Sequence, residues 1–328
     1  MNSRERVMTA LHLKEPDRVP FIDYTEQKMR TLLMGREDFT DFEFVKAIGF
    51  DAININDFVS PVFCKKKHLK GQDYIVDGLI KSNKDLDLME FPDPDDPSLY
   101  EPAKRYIEEH KDRGIAIFAV MRFGISGVNY SMGIEGMSYA IYENPQLIEK
   151  VLDRYVDWNC AVVERLNKMG IDFLISYDNI AFNSGPLISP QVFREVFVPR
   201  IKRISDLCEM PWITHMDGNI MPIIDDVLDM GVSGLHPIEP GCMDIKVVKE
   251  LYGDKVCLWG NIDLGYTLTR GTPEEVDAEV KERIKDIGPG GGYILGSGNG
   301  LPEYCKPENV WAMAKAVEKY GYYPIKLD

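Results

Sequence analysis

The chain has 328 residues, 45% of them hydrophobic, so it can bury a full core, and its 38 Lys+Arg against 53 Asp+Glu give a formal charge of −15. That balance argues against nucleic-acid or anionic-membrane binding, which needs a basic patch. No apolar run approaches the roughly 18 residues of a membrane span, and the start, MNSRERVMTALHLKEPDRVP, lacks the apolar stretch of a secretory signal. The six cysteines (64, 160, 208, 242, 257 and 305) form no C-x-x-C pair and read as reduced thiols of a cytoplasmic protein.

The opening reads as a helix with Ser3 as N-cap, Val7, Met8 and Leu11 on one side, and Pro16 ending it. Short apolar runs then alternate with amphipathic stretches. The runs are RVPFID (18–23), DAININ (51–56), IAIFAV (115–120), DFLISYD (172–178), WITHMD (212–217), VSGLHPI (232–238), VCLWGNI (256–262) and GYILGS (292–297). Between them lie predicted helices: 145–170, a stretch opened by Ser189 and Pro190, and another opened by Thr272, Pro273 and two acids. Alternation of this kind implies parallel strands joined by crossover helices. Eight strand candidates favour an α/β fold of the (β/α)8 TIM-barrel type, one domain spanning residues 1–328. Residues 65–100 break the rhythm and are expected to form a hairpin or lid inserted after the second strand.

The stretch PWITHMDGNI (211–220) places an imidazole and a carboxylate two positions apart at the end of an apolar run. Alternate residues of a strand face the same way, so His215 and Asp217 share one side if the strand continues through Asp217. A metal site, an acid–base pair and a structural hydrogen bond would all produce this pattern. The last five runs all finish in polar groups: Asp178-Asn179, His215/Asp217, His236/Glu239, Asn261/Asp263 and Ser297/Asn299. Each could cap the helix that follows. In a β/α barrel they would instead converge at the C-terminal mouth, where active sites lie. The glycine run GPGGG (288–292) precedes a strand and lacks the strand–loop–helix order of a dinucleotide fingerprint.

At these strand ends the sequence resembles the uroporphyrinogen decarboxylase superfamily, whose corrinoid-dependent methyltransferase branch shares the barrel. The matching stretches are NSRERVMTALHLKEPDRVP, DNIAFNSGPLISPQVFREVFVPRIKRI, HMDGN, LHPIEPG, YGDKVCLWGNIDLGYTLTRGTPEEV and GPGGGYILGSGNGLP. Uroporphyrinogen decarboxylases carry an Arg-rich RQAGR segment after the first strand, whereas IDYTEQKMR (22–30) holds one arginine. Decarboxylation of an eight-carboxylate tetrapyrrole is therefore not expected. Methyltransferases that serve coenzyme M show His-x-Cys on the fifth strand and a further Cys near the last. Here those places hold His215-Met216-Asp217 and Gly298-Asn299-Gly300, so a thiolate-rich zinc site is absent, while a His/carboxylate site stays open.

The resemblance implies the first methyltransferase of anaerobic aryl methyl ether O-demethylation. Such an enzyme moves a methyl group from a methoxylated aromatic to the Co(I) corrinoid (cobalamin) of a partner protein, and a homodimer is implied as well. The expected catalytic residues are Asp178, His215 and Asp217. Phe123, Tyr177, Phe182 and Trp212 could sandwich an arene, and Asn261 and Asn299 could hydrogen-bond a ring substituent. If Zn2+ is bound, His215, His236 and Glu239 are the expected ligands. Three alternatives remain. One is a decarboxylase or lyase of a small carboxylic acid held by Arg122. Another is methyl transfer from a methylcorrinoid to a thiol or folate, and the third is a corrinoid-protein docking subunit without turnover.

Overall fold

A computed structural model describes residues 1–69 and 72–327 of the chain. Eleven strands occur among them: β1 Ala52–Phe58, β2 Cys64–Leu69, β3 Gln72–Gly78, β4 Ala116–Met121, β5 Phe173–Tyr177, β6 Ala181–Phe182, β7 Gly185–Pro186, β8 Trp212–His215, β9 Gly234–His236, β10 Cys257–Trp259 and β11 Tyr293–Ile294. Seven of them form one curled parallel sheet in the order β1-β4-β5-β8-β9-β10-β11. Neighbours in that order follow one another in sequence apart from the two hairpins, as parallel strands joined by crossovers must.

The first predicted strand, 18–23, is not a regular strand. Its backbone nevertheless touches both edges of the sheet. The Ile22 amide donates to Leu295 and the Leu295 amide to Pro20, while the Asp51 amide donates to the Phe21 carbonyl. Phe21 bridges Leu295, Thr25 bridges Leu301, and the Trp259 indole donates across to the Ile22 carbonyl at 2.9 Å. Pro16 and Pro20 lack the N–H groups a continuous ladder needs, which explains the short bridges. In the stretch expected to be inserted, β2 and β3 pair as an antiparallel hairpin, and two short 3-10 turns follow at Asn83–Leu88 and Pro97–Leu99. Lys70 and Gly71 of the predicted insertion lie outside the described residues.

Most predicted helix starts match the chemistry that was their signal. Thr272 caps Pro273–Ile287 in a reciprocal box with Glu275, and Ser189 accepts from the Val192 amide. The first helix, Ser3–Leu11, is capped by Asn2 rather than Ser3, with Glu5 completing the box. Its Val7, Ala10 and Leu11 are buried against a cluster that includes Ala52, Ala116, Phe173 and Ile294. Arg4 pairs with Asp172 at 2.6 Å and Arg6 with Asp51 at 2.6 Å. Asp51 and Asp172 each immediately precede a strand, so this helix covers the N-terminal end of the sheet. No helix among the described residues is long and apolar enough to cross a membrane.

Candidate active site

The cavity of interest, about 700 Å3, opens at the opposite end, where the strands finish. Its lining includes Tyr24 just past the first predicted strand, Tyr177 at the end of β5, His215 at the end of β8, and Glu239 beyond β9. Asp263 beyond β10 and Asn299 beyond β11 complete the ring of strand-end residues. Residues earlier in these strands alternate between packed cores, while the terminal groups turn toward the cavity. A cavity of several hundred Å3 is an ordinary size for a small-molecule site.

β8 stops at His215, so the predicted strand does not run on through Asp217. The pair still meets, because the turn after the strand carries Asp217 back to the ring. His215 Nε2 lies 3.3 Å from Asp217 Oδ1. The other Asp217 oxygen accepts from the Asn179 amide at 2.9 Å, and Oδ1 also accepts from Asn299 at 2.9 Å. Burial works to raise the Asp217 carboxyl, but His215 and the two amides outweigh it and leave the group below the usual carboxylate range. Tyr177 meets the His215 ring edge to face, with centroids 4.8 Å apart.

His215 Nδ1 contacts His236 Nδ1 at 2.7 Å, and His236 packs on Trp259 with centroids 4.4 Å apart. Burial, then the nearby His215 charge, hold the His236 imidazole well below its ordinary range. Glu239 accepts from the Gly218 amide at 2.8 Å. It also sits beside the Cys242 thiol, which is pushed up to about 11 by burial first and Glu239 second. Among the described residues no group of three or more His, Cys, Asp or Glu side chains is arranged to hold a metal ion. The expected ligands His215, His236 and Glu239 are not assembled as a set. The two imidazoles face each other, and Glu239 is turned onto a backbone amide. This donor set does not fit a zinc ion, and no step below runs through one.

Asp178 is buried and accepts from the backbone amides of Phe123, Gly124 and Ser126 at 3.0, 3.2 and 3.3 Å. It ties the start of the helix Ile125–Met132 to the sheet and does not line the cavity. Burial pushes its carboxyl up against the pull of those amides. Phe123 and Trp212 are buried against each other, with centroids 4.8 Å apart, and the Trp212 indole donates to Ser176. Phe182 stands 55% exposed on the β6–β7 hairpin. Asn261 is pinned between the Ile238 carbonyl and Arg283. Of the residues expected to bind substrate, Tyr177 and Asn299 reach the cavity.

Sequence reasoning missed Tyr24, Glu26 and Tyr304, which line the cavity, and the buried Asp23 next to Tyr24 in the chain. Asp23 accepts from the Ser297 amide at 2.7 Å and its hydroxyl at 3.0 Å, and burial pushes its carboxyl up to about 7. The strand-end rule applied to RVPFID would have found Asp23 and Tyr24. Nothing in the sequence marks Tyr304.

Comparison with known proteins supplies the lineage. The chain is 29% identical over 174 residues to the methylcobamide:CoM methyltransferase MtaA of Methanosarcina barkeri, covering 53% of this chain and 49% of that protein. It is 24% identical over 269 residues to the uroporphyrinogen decarboxylase of Alkalilimnicola ehrlichii, covering 77% and 71% respectively. The chain thus spans about half the length of the MtaA relative. Among solved structures, a methyltransferase from Methanosarcina mazei superposes with a TM-score of 0.76 at 20% identity, over 98% of this chain and 99% of that one, a likeness of fold. Residues 70–320 match the family model for uroporphyrinogen decarboxylase (URO-D), and the chain belongs to that family.

Proposed function

We propose that the protein is a corrinoid-dependent methyltransferase, moving a methyl group from a methoxylated aromatic to the Co(I) corrinoid of a partner protein. It would work at the mouth of a (β/α)8 barrel that residues 18–25 close. One observation carries this reading. The cavity joins the His215–Asp217 pair to tyrosine rings, and among the described residues no lysine or arginine lines it. A site that grips carboxylates needs such cations. Arg122, the candidate grip for a decarboxylase, instead donates to the Ser60 carbonyl at 2.5 Å and is absent from the lining.

In the proposed step the methyl–oxygen bond breaks and the methyl carbon forms a bond to cobalt using the Co(I) electron pair. The oxygen keeps its bonding pair and departs as a phenolate. Phenols titrate near 10, so that oxygen gains from a hydrogen bond or a proton as charge grows on it. His215, steadied by Asp217, supplies the donor, and Tyr24 and Tyr177 supply flat surface for the ring. Asn299, already bonded to Asp217, holds the pair in place from the far side.

The name of the Methanosarcina barkeri relative favours a second reading, methyl transfer from a methylcorrinoid to a thiol. Asp217 and Asn299 stand where the thiol-activating branch places cysteines, which ranks that reading second. One anaerobic experiment separates them. A corrinoid protein reduced to Co(I) is mixed with the enzyme and a panel of methoxylated aromatics. Loss of the Co(I) band and growth of methyl-Co(III) support the proposal, and His215→Ala should slow them by about 10²- to 10⁴-fold. Silence across the panel, with demethylation of methyl-Co(III) by an added thiol, overturns it in favour of the second reading.

A further inference from the structure

Two imidazole nitrogens 2.7 Å apart must share one proton, because two lone pairs repel and two N–H groups collide. A neutral His236 has one ring proton to place. Its Nε2 is buried without a hydrogen-bond partner. A proton there would be a donor facing nothing, a costly arrangement in a dry site. Placed on Nδ1, the same proton satisfies the contact with His215 and leaves only a weak acceptor unpaired.

The consequence passes through His215. Its Nδ1 accepts from His236, so its own proton must sit on Nε2, the nitrogen 3.3 Å from Asp217 Oδ1. The opposite arrangement fails twice. It strands the His236 Nε2 proton and sets a bare His215 lone pair against a carboxylate oxygen. We infer that His236 is a positioning residue, which fixes His215 as an Nε2–H donor toward Asp217 and the cavity. The hand-off is from a buried ring, clamped against Trp259, to a ring that lines the open space. A substrate oxygen arriving beside Nε2 then shares that N–H with Asp217 Oδ1 in a three-centre hydrogen bond. The reversed tautomer would present a lone pair to the same oxygen. The second-ring partner of a catalytic imidazole sets its tautomer in this way wherever one nitrogen is tied down.

The ring protons can be read without turnover, so this inference and the methyl-transfer reading fail separately. Nuclear magnetic resonance of the whole chain labelled with 15N-histidine reports which nitrogen of each ring is protonated. The wild type should show His215 protonated at Nε2 and bare at Nδ1. His236→Phe keeps a flat ring but no donor and should let His215 populate both tautomers. His236→Asn retains an N–H near the Nδ1 position and should restore the single Nε2–H form. In the methyl-transfer assay the Phe variant should lower kcat by about ten- to a hundredfold with little change in KM, and Asn should recover most of it. A wild-type His215 protonated at Nδ1, or at both nitrogens, overturns the inference. So does a Phe variant whose His215 keeps the pure Nε2–H form. If His236→Phe does not fold, the wild-type spectrum decides by itself.

Discussion

Replacing Asp23 by asparagine removes a carboxyl that the fold holds near 7 while keeping its shape; the amide oxygen still accepts from the Ser297 N–H, and the Ser297 hydroxyl turns to accept from the amide nitrogen. In the unfolded chain the same group titrates near its ordinary value of 3.8. The native state therefore binds the Asp23 proton more tightly, and the stability this contributes is full below 3.8 and is lost as pH rises through 7. Over the whole window the linkage amounts to about 4 kcal/mol, of which about 2 to 3 kcal/mol falls between pH 5 and pH 8. Other groups titrate in that range, so the informative quantity is the difference between wild type and Asp23→Asn. Urea unfolding at pH 5, 6, 7 and 8 should show the variant gaining on the wild type by about 2 to 3 kcal/mol across the series. A difference that stays constant within error would show that Asp23 is not held protonated by burial.

The Asp178 carboxylate receives three backbone amides, so Asp178→Ala should destabilise the fold by about 3 kcal/mol by stranding them, as denaturant unfolding would report. Unchanged stability with lost turnover would instead return Asp178 to the chemistry. The cavity is lined by Glu26, Glu239 and Asp263, without a lysine or arginine among the described residues. Two carboxylates about 8 Å apart repel by about 2 kcal/mol at an effective dielectric of about 20, before salt reduces it. Calorimetry should therefore find 2-methoxyphenol binding at least about tenfold tighter than 3-methoxybenzoate, with the gap narrowing in salt. Equal binding would show that the charges of the lining are already neutralised.

The order of strands and helices was legible because it rests on local chemistry: Pro190 after Ser189, Thr272 before Pro273, and apolar runs of strand length between amphipathic stretches. The fate of 18–23 was less so, since whether a run pairs regularly depends on partners nearly 280 residues away, such as Leu295. The strand-end rule located His215, Asp217, Glu239, Tyr177 and Asn299 around one space. It could not separate Asp178, one residue past Tyr177, whose carboxylate turns away to collect amides from Phe123 to Ser126. Nor could it assign Trp212, whose burial depends on Phe123 lying opposite. The facing of His215 and His236 comes from the β8–β9 register, a pairing between residues 21 apart that no local pattern encodes.

The helix Ser3–Leu11 covers the N-terminal end of the sheet, so the cavity opens at the other end, where the strands finish. Under the proposed reaction both substrates must use that opening, although one is a small molecule and the other is carried by a whole protein. A larger partner seated on that mouth would obstruct the smaller molecule's way in. The proposed reaction therefore predicts an order of binding, methyl donor first and corrinoid protein second, with the demethylated product leaving after the partner. Excess corrinoid protein becomes an inhibitor competitive with the methyl donor, which initial-rate kinetics at varied concentrations of both would display.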